Sequence, residues 1–285
     1  MDNFQVFSDD ISYKGRHVNH DPRSKDYAFD GSGVTLASVR HKRYIPVLDQ
    51  GQLGSCTGNA MTGLLGSGNF FNSLPANTLR TGDAIFDEAF AVDLYGLATH
   101  LDGYKGAYPP DDTGSDGLSV AKAAQKKGFI AGYQHTFSFN DFLKALSVQP
   151  VIVGIDWWSS FETPDPNGVV SIGSQSYIEG GHEIVADELN VEAQLIGFTN
   201  SWTANWGVAG RFYIRYADFE TLLGNNGDVT VPVVLTTPVP PTPVPPAPPV
   251  PTPVPPAPPV VPTPDPNDVA LWADMQKWAK LKGLS

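Results

Sequence analysis

From Pro238 to Pro266 the chain carries 17 of its 26 prolines and a perfect tandem decamer, PTPVPPAPPV at 241–250 and again at 251–260. A run in which more than half of the residues lack an amide N–H cannot enter a helix interior or a central sheet strand. It reads as an extended, solvated polyproline II spacer with a reach of about 90 Å. The packed core of the protein must therefore come from residues 1–235, and the residues beyond the spacer must be judged by themselves.

Those residues, NDVALWADMQKWAKLKGLS, carry helix signals. Asn267 or Asp268 suits an N-cap, Leu271, Met275, Trp278 and Leu281 form one stripe, and Gly283 is a stop. So short a helix is marginal alone, and two tryptophans on a polar tail need a surface. The helix at 267–285 is expected to dock on a protein partner or on the main domain, or to oligomerise.

Composition narrows the function of residues 1–235. A single cysteine, Cys56, rules out an intramolecular disulfide, and with six scattered histidines it offers no structural zinc spacing; no metal or other cofactor is expected. The start, MDNFQVFSDD, is acidic, and no apolar run approaches the ~20 residues of a membrane span. A soluble protein without an ordinary secretion signal is expected, cytoplasmic or virion-associated. The net charge is −12, and between Lys144 and Arg211 there are eight acids and no Lys or Arg. Such a surface repels phosphate backbones, so nucleic acid is not expected as a partner; it reads first as a soluble acidic face and, as the sharper alternative, as a preference for cationic or neutral substrates.

The pattern predicts helices first and strands later. Ala60, Met61, Leu64 and Leu65 repeat with helical spacing after Cys56, with Gly58, Gly63, Gly66 and Gly68 allowing close approach by other segments. Further helices are expected around Ala84 to Leu97 and Leu118 to Lys127. The runs 149–155, 182–186, 193–199 and 210–216 are β-rich and bounded by turn residues. This order argues for an α+β chain of two lobes with a groove between them.

The lone thiol sits in DQGQLGSCTGNA, where a glycine-rich turn opens into a helix. Backbone N–H groups at a helix N-terminus favour a thiolate, the form that acts as nucleophile. Among the histidines, His182 lies in GGHEIVA, between two glycines and an apolar strand. Eighteen residues later, Asn200 in FTNSWTANWG can fix an imidazole through one ring nitrogen and leave the other for sulfur. Trp202 could shield that bond from water.

Taken in order, Gln50, GSC at 54–56, GH at 181–182, NSW at 200–202 and WGxxGxFxI from Trp206 to Ile214 resemble the papain family of cysteine peptidases. DPRSKDYAF at 21–29 looks like the stretch preceding the core in its bacterial and phage members. The resemblance implies a papain-like fold, with a helical lobe carrying the cysteine, a β-barrel lobe carrying the histidine and asparagine, and the cleft between. It implies Cys56 as nucleophile in a thiolate-imidazolium pair with His182, Asn200 as the group orienting His182, and Gln50 with the Cys56 N–H as oxyanion donors. A polypeptide substrate would be held by Gly114, Ser115, Gly181 and Trp202. Leu53 stands where many secreted members have a disulfide cysteine, and Thr57 replaces the usual tryptophan. The turn DDTGSDG at 111–117 is the nearest counterpart of the family's substrate-pairing glycines. It also loosely resembles a calcium loop but lacks the spacing and terminal Glu.

The domain expectation is an arm or short latch at 1–45, a catalytic domain at 46–235, a proline-rich linker at 236–266 and the helix at 267–285. Two other functions fit parts of the pattern. A phage or bacterial peptidoglycan amidase could use a Cys-His site on a modular chain, and a structural or adhesion module could use the stalk.

Overall fold

The computed structural model describes residues 14–74 and 85–235. The chain divides into two units, Met1–Pro241 and Thr242–Ser285, and the described residues belong to the first. The proline-rich linker and the helix expected at 267–285 lie outside the described residues, as do the first 13 residues of the arm.

Six helices are described: α1 (Cys56–Leu65), α2 (Gly68–Ser73), α3 (Glu88–Thr99), α4 (Gly117–Lys126), α5 (Phe139–Val148) and α6 (Tyr216–Gly224). Every residue of α1 is buried. Its glycines permit this, since a Cβ on Gly58 would collide with the Ala91 carbonyl oxygen and come within 2.7 Å of the Tyr95 Cβ on α3. Both α3 and α4 begin on aspartate caps. Asp87 accepts from the Phe90 N–H at 2.9 Å, and Asp116 accepts from the Ser119 N–H at 2.8 Å. The Asp87 cap places α3 a few residues later than hydrophobic spacing predicts.

Eight strands form one mixed sheet: β1 (Val39–Arg40), β2 (Gly132–His135), β3 (Val151–Trp158), β4 (Val169–Val170), β5 (Ile178–Asn190), β6 (Leu195–Thr199), β7 (Arg211–Arg215) and β8 (Asp228–Val233). The order is β2-β8-β3-β5-β6-β7-β4, with β1 also on β5, antiparallel except for β4 on β7. The path is open, with β2 and β4 at its ends, so the β lobe is an open sheet where a closed barrel was expected. The α+β, two-lobed expectation holds.

Each lobe has its own core. Trp157, Phe161, Phe198 and Phe212 of the sheet side pack with Phe142 of α5 and Phe219 of α6. Met61, Leu64, Leu94 and Val120 form the helical core, which also takes in Ile152 of β3 and Val185 of β5. The second cluster therefore joins the lobes. Residue Arg16 and the residues around it run between them. Arg16 donates its backbone N–H to the Gly181 carbonyl at 3.0 Å, and His17 donates to the Ser115 carbonyl at 2.7 Å.

Candidate active site

Cys56 is the first residue of α1 and is fully buried. Backbone N–H groups of Glu183, Gly15 and Thr57 act on its sulfur in the direction that favours the thiolate, against the larger effect of burial. The turn before it is pinned from the helical side, where the Gly54 N–H donates to Asp112 Oδ2 at 2.9 Å and the Tyr95 hydroxyl donates to Asp112 Oδ1 at 2.5 Å. The Tyr95 oxygen in turn accepts from the Gly114 N–H at 2.9 Å. One aspartate and one tyrosine thus fix the sulfur's turn relative to the 111–116 loop. Neither carries a sequence motif, and only the tertiary fold identifies them.

His182 lies on β5, and its Nε2 is 2.8 Å from Asn200 Oδ1. The same oxygen accepts from the Ser201 backbone N–H at 2.8 Å. A backbone N–H can only donate, so the atom facing both groups is the amide oxygen, and His182 Nε2 must carry a hydrogen. The neutral ring therefore keeps its lone pair on Nδ1, a buried atom with no other hydrogen-bond partner. Trp202 stacks on the imidazole at 4.8 Å and 29°, and Trp157 meets it edge-on at 4.9 Å. Trp157, two residues beyond the β-rich run 149–155, is an addition.

Gln50 is 6% exposed and is tied to the histidine side of the cleft. Its backbone N–H donates to the Ser201 carbonyl at 2.9 Å, its Oε1 accepts from the Ser201 hydroxyl at 2.6 Å, and its Nε2 donates to the Leu53 carbonyl at 3.0 Å. Ser201 thus holds both Gln50 and Asn200. The serine of NSW is a positioning residue that the sequence showed only as part of a motif.

Gly114, Ser115 and Gly181 come together across the cleft, and all three face the arm. The Ser115 N–H donates to the Gly15 carbonyl at 2.8 Å, which makes Arg16 a parallel bridge partner of Ser115 and Gly15 one of Gly181. A side chain on Gly15 would run into the Gly54 carbonyl, and one on Gly114 would strike the Gly15 carbonyl. Lys14 is ion-paired to Glu162 at 2.7 Å and also to Glu179. His17 stacks on Tyr104 with ring centroids 4.2 Å apart. Arm residues 14–17 thus line the whole cleft over the sulfur.

Both Cys56 and His182 are fully buried, which shifts their protonation. Burial pushes the Cys56 thiol up to about 12, and the nearby Glu183 carboxyl adds to the effect. Burial pulls His182 down to about 4, opposed by its bond to Asn200. Burial thus favours the neutral thiol at Cys56 and the neutral imidazole at His182. Glu183 disfavours the thiolate, whereas Asp187 is 2.8 Å from Arg211 Nη2 and accepts from the Thr199 hydroxyl at 2.6 Å. Adjacent strand residues point to opposite faces, which separates Glu183 from the imidazole.

Among the described residues no group of three or more His, Cys, Asp or Glu could hold a metal ion, and no helix is long and apolar enough to cross a membrane. Known proteins give the following comparisons. No family model and no curated protein sequence matches the chain. Among solved structures, xylellain, a cysteine protease from Xylella fastidiosa, superposes with a TM-score of 0.59 at 17% identity, covering 79% of this chain and 97% of its own. Digestive procathepsin L 3 from the larval midgut of Tenebrio molitor gives 0.48 at 16% identity over 78% of this chain and 75% of its own. The bromelain protease of Ananas comosus gives 0.44 at 16% identity over 69% and 100%. The superposition on xylellain gives the chain, over 79% of its length, the papain-like fold.

Proposed function

We propose that the protein is a cysteine endopeptidase whose cleft is latched by its own N-terminal arm. The observation that carries this reading is the hydrogen-bond polarity at His182. Asn200 Oδ1, fixed by the Ser201 N–H, holds the proton on Nε2 and leaves Nδ1 to take the proton of Cys56. When the arm leaves, water and substrate dipoles enter and the helix terminus at Cys56 favours the thiolate.

In the reaction the Cys56 proton passes to His182 Nδ1 and the sulfur adds to the peptide carbonyl. The Gln50 amide and the Cys56 backbone N–H support the resulting oxyanion. The C–N bond then breaks as the imidazolium gives its proton to the leaving amine, and an acyl-thioester remains. Water, deprotonated by the same imidazole, releases the acid and restores the thiol. Asn200 keeps the ring oriented throughout, as the third group does in related nucleophile-base arrangements.

The test is labelling with an epoxysuccinyl thiol reagent, together with turnover of an unfolded protein and of purified cell wall by wild type and Cys56→Ala. Labelling at Cys56 and Cys56-dependent cleavage of the unfolded protein are expected. Equal activity of both forms, or no labelling after displacement of the arm, rejects the peptidase. Turnover of cell wall alone assigns an amidase instead.

A further inference from the structure

The Arg16 side chain has no solvent-exposed area, and the groups around it come from four places in the fold. Its Nη2 is ion-paired to Asp228 at the start of β8 and donates to the Asn226 carbonyl at 2.6 Å. Its Nη1 lies 3.9 Å from Asp156 of β3. Glu183 of β5, 1% exposed, also bears on the guanidinium, and neither of its carboxylate oxygens has a hydrogen-bond partner. The space is made by glycines. A Cβ on Gly154 would overlap Arg16 Nε and come within 2.7 Å of Asp228 Oδ2 and 2.9 Å of Glu183 Oε2. One on Gly117 would come within 2.8 Å of Glu183 Oε1.

Every acid in this pocket belongs to the body of the domain, and only the cation belongs to the arm. With the arm displaced, Asp156 and Asp228 lose their counter-charge, and Glu183, the residue that follows His182, is left buried beside them with its acidity weakened by burial. The pocket's position relative to the sulfur is set by backbone bonds, with Gly15 seated against Cys56 and Gly54 while its neighbour Arg16 is pinned between Ser115 and Gly181. A polypeptide taking the same path places one side chain in the same pocket.

We infer that the Asp228, Asp156 and Glu183 pocket is the specificity pocket of the cleft, that it selects an arginine side chain next to the residue seated on Cys56, and that Arg16 occupies it as a tethered mimic. The inference rests on the peptidase reading for its substrate, but the pocket's affinity for a guanidinium does not. A planar guanidinium matches carboxylates from several directions, whereas a lysine ammonium is a point charge on a longer solvated stem.

Two measurements on the full chain test it. In the first, Arg16→Ala is titrated with N-ethylguanidinium, and its melting temperature is followed. A saturable rise is expected, absent from wild type, weaker with n-butylammonium, and lost in Arg16→Ala/Asp228→Asn and in Arg16→Ala/Asp156→Asn. In the second, Arg16→Ala is given quenched-fluorescent peptides with Arg, Lys, Leu or Glu at successive positions around the scissile bond. A kcat/KM advantage for Arg over Leu of roughly tenfold or more at one position is expected, shrinking toward parity with Asp228→Asn. If no peptide is cleaved yet N-ethylguanidinium stabilises Arg16→Ala, the pocket stands and the peptidase falls. If N-ethylguanidinium has no effect on Arg16→Ala, or if peptides are cleaved with equal preference for Arg and Leu, the inference is overturned.

Discussion

At the scale of single residues, the buried histidine links protonation to stability. The His182 pKa is about 4 in the folded protein, below the ordinary value of 6.5 that an unfolded chain restores. Between those values the unfolded state binds more protons, so stability is fully present above pH 6.5 and is lost as pH falls toward 4. The contribution is on the order of 3 kcal/mol. Urea unfolding at several pH values should show wild type losing about that much more than His182→Gln across this window; parallel curves would show that the ring is not held neutral. Asn200→Ala removes the acceptor for both the His182 ring and the Ser201 N–H. Leaving buried donors unpaired should cost roughly 1–3 kcal/mol and also lower kcat, read from denaturation and from single-turnover acylation. Gln50→Ala should slow acylation by about 10²-fold or more while leaving substrate KM little changed, if its amide supports the oxyanion.

At the scale of elements, glycines decide which segments meet. In Gly15→Val the new side chain meets the Gly54 carbonyl, carbon and Cα, all backbone atoms that cannot move aside. The arm should leave the cleft while the two cores remain intact. As the thiol returns toward its ordinary value from about 12, iodoacetamide alkylation of Cys56 at neutral pH should accelerate by roughly 10²-fold or more. An unchanged alkylation rate would mean that the arm does not control access to the sulfur. The helical elements show how far local pattern reached. The spacing of Ala60, Met61, Leu64 and Leu65 placed α1, but its burial on all sides depends on α3 approaching over Gly58, a contact between residues more than thirty positions apart. Helices α5 and α6 and strand β8 were not anticipated. The Ser138 cap, which accepts from the Asp141 N–H at 3.1 Å, was a legible start for α5, whereas β8 reads as a strand only because β3 and β2 pair with it.

At the scale of the whole molecule, the lobes share a cluster in which Ile152 and Val185 of the sheet pack among helical residues. That coupling predicts a single unfolding transition for the domain. Near-ultraviolet circular dichroism and Cys56 reactivity should lose their native values at the same urea concentration; a split between the two would mean that the lobes unfold independently.

The sequence by itself singled out Cys56, His182, Asn200 and Gln50 as candidates for nucleophile, base, orienting group and oxyanion donor, because side-chain chemistry and the motifs around these residues are properties of the sequence. It also fixed the α+β class, because hydrophobic period is a local property. Only the tertiary structure decided the charge state and the occupancy of the cleft. Burial is a property of the assembled chain, so no reading of the local sequence could show that Cys56 and His182 are both removed from water. Likewise, Arg16 meets Asp156, Glu183 and Asp228 only after folding has brought together segments up to 212 residues apart.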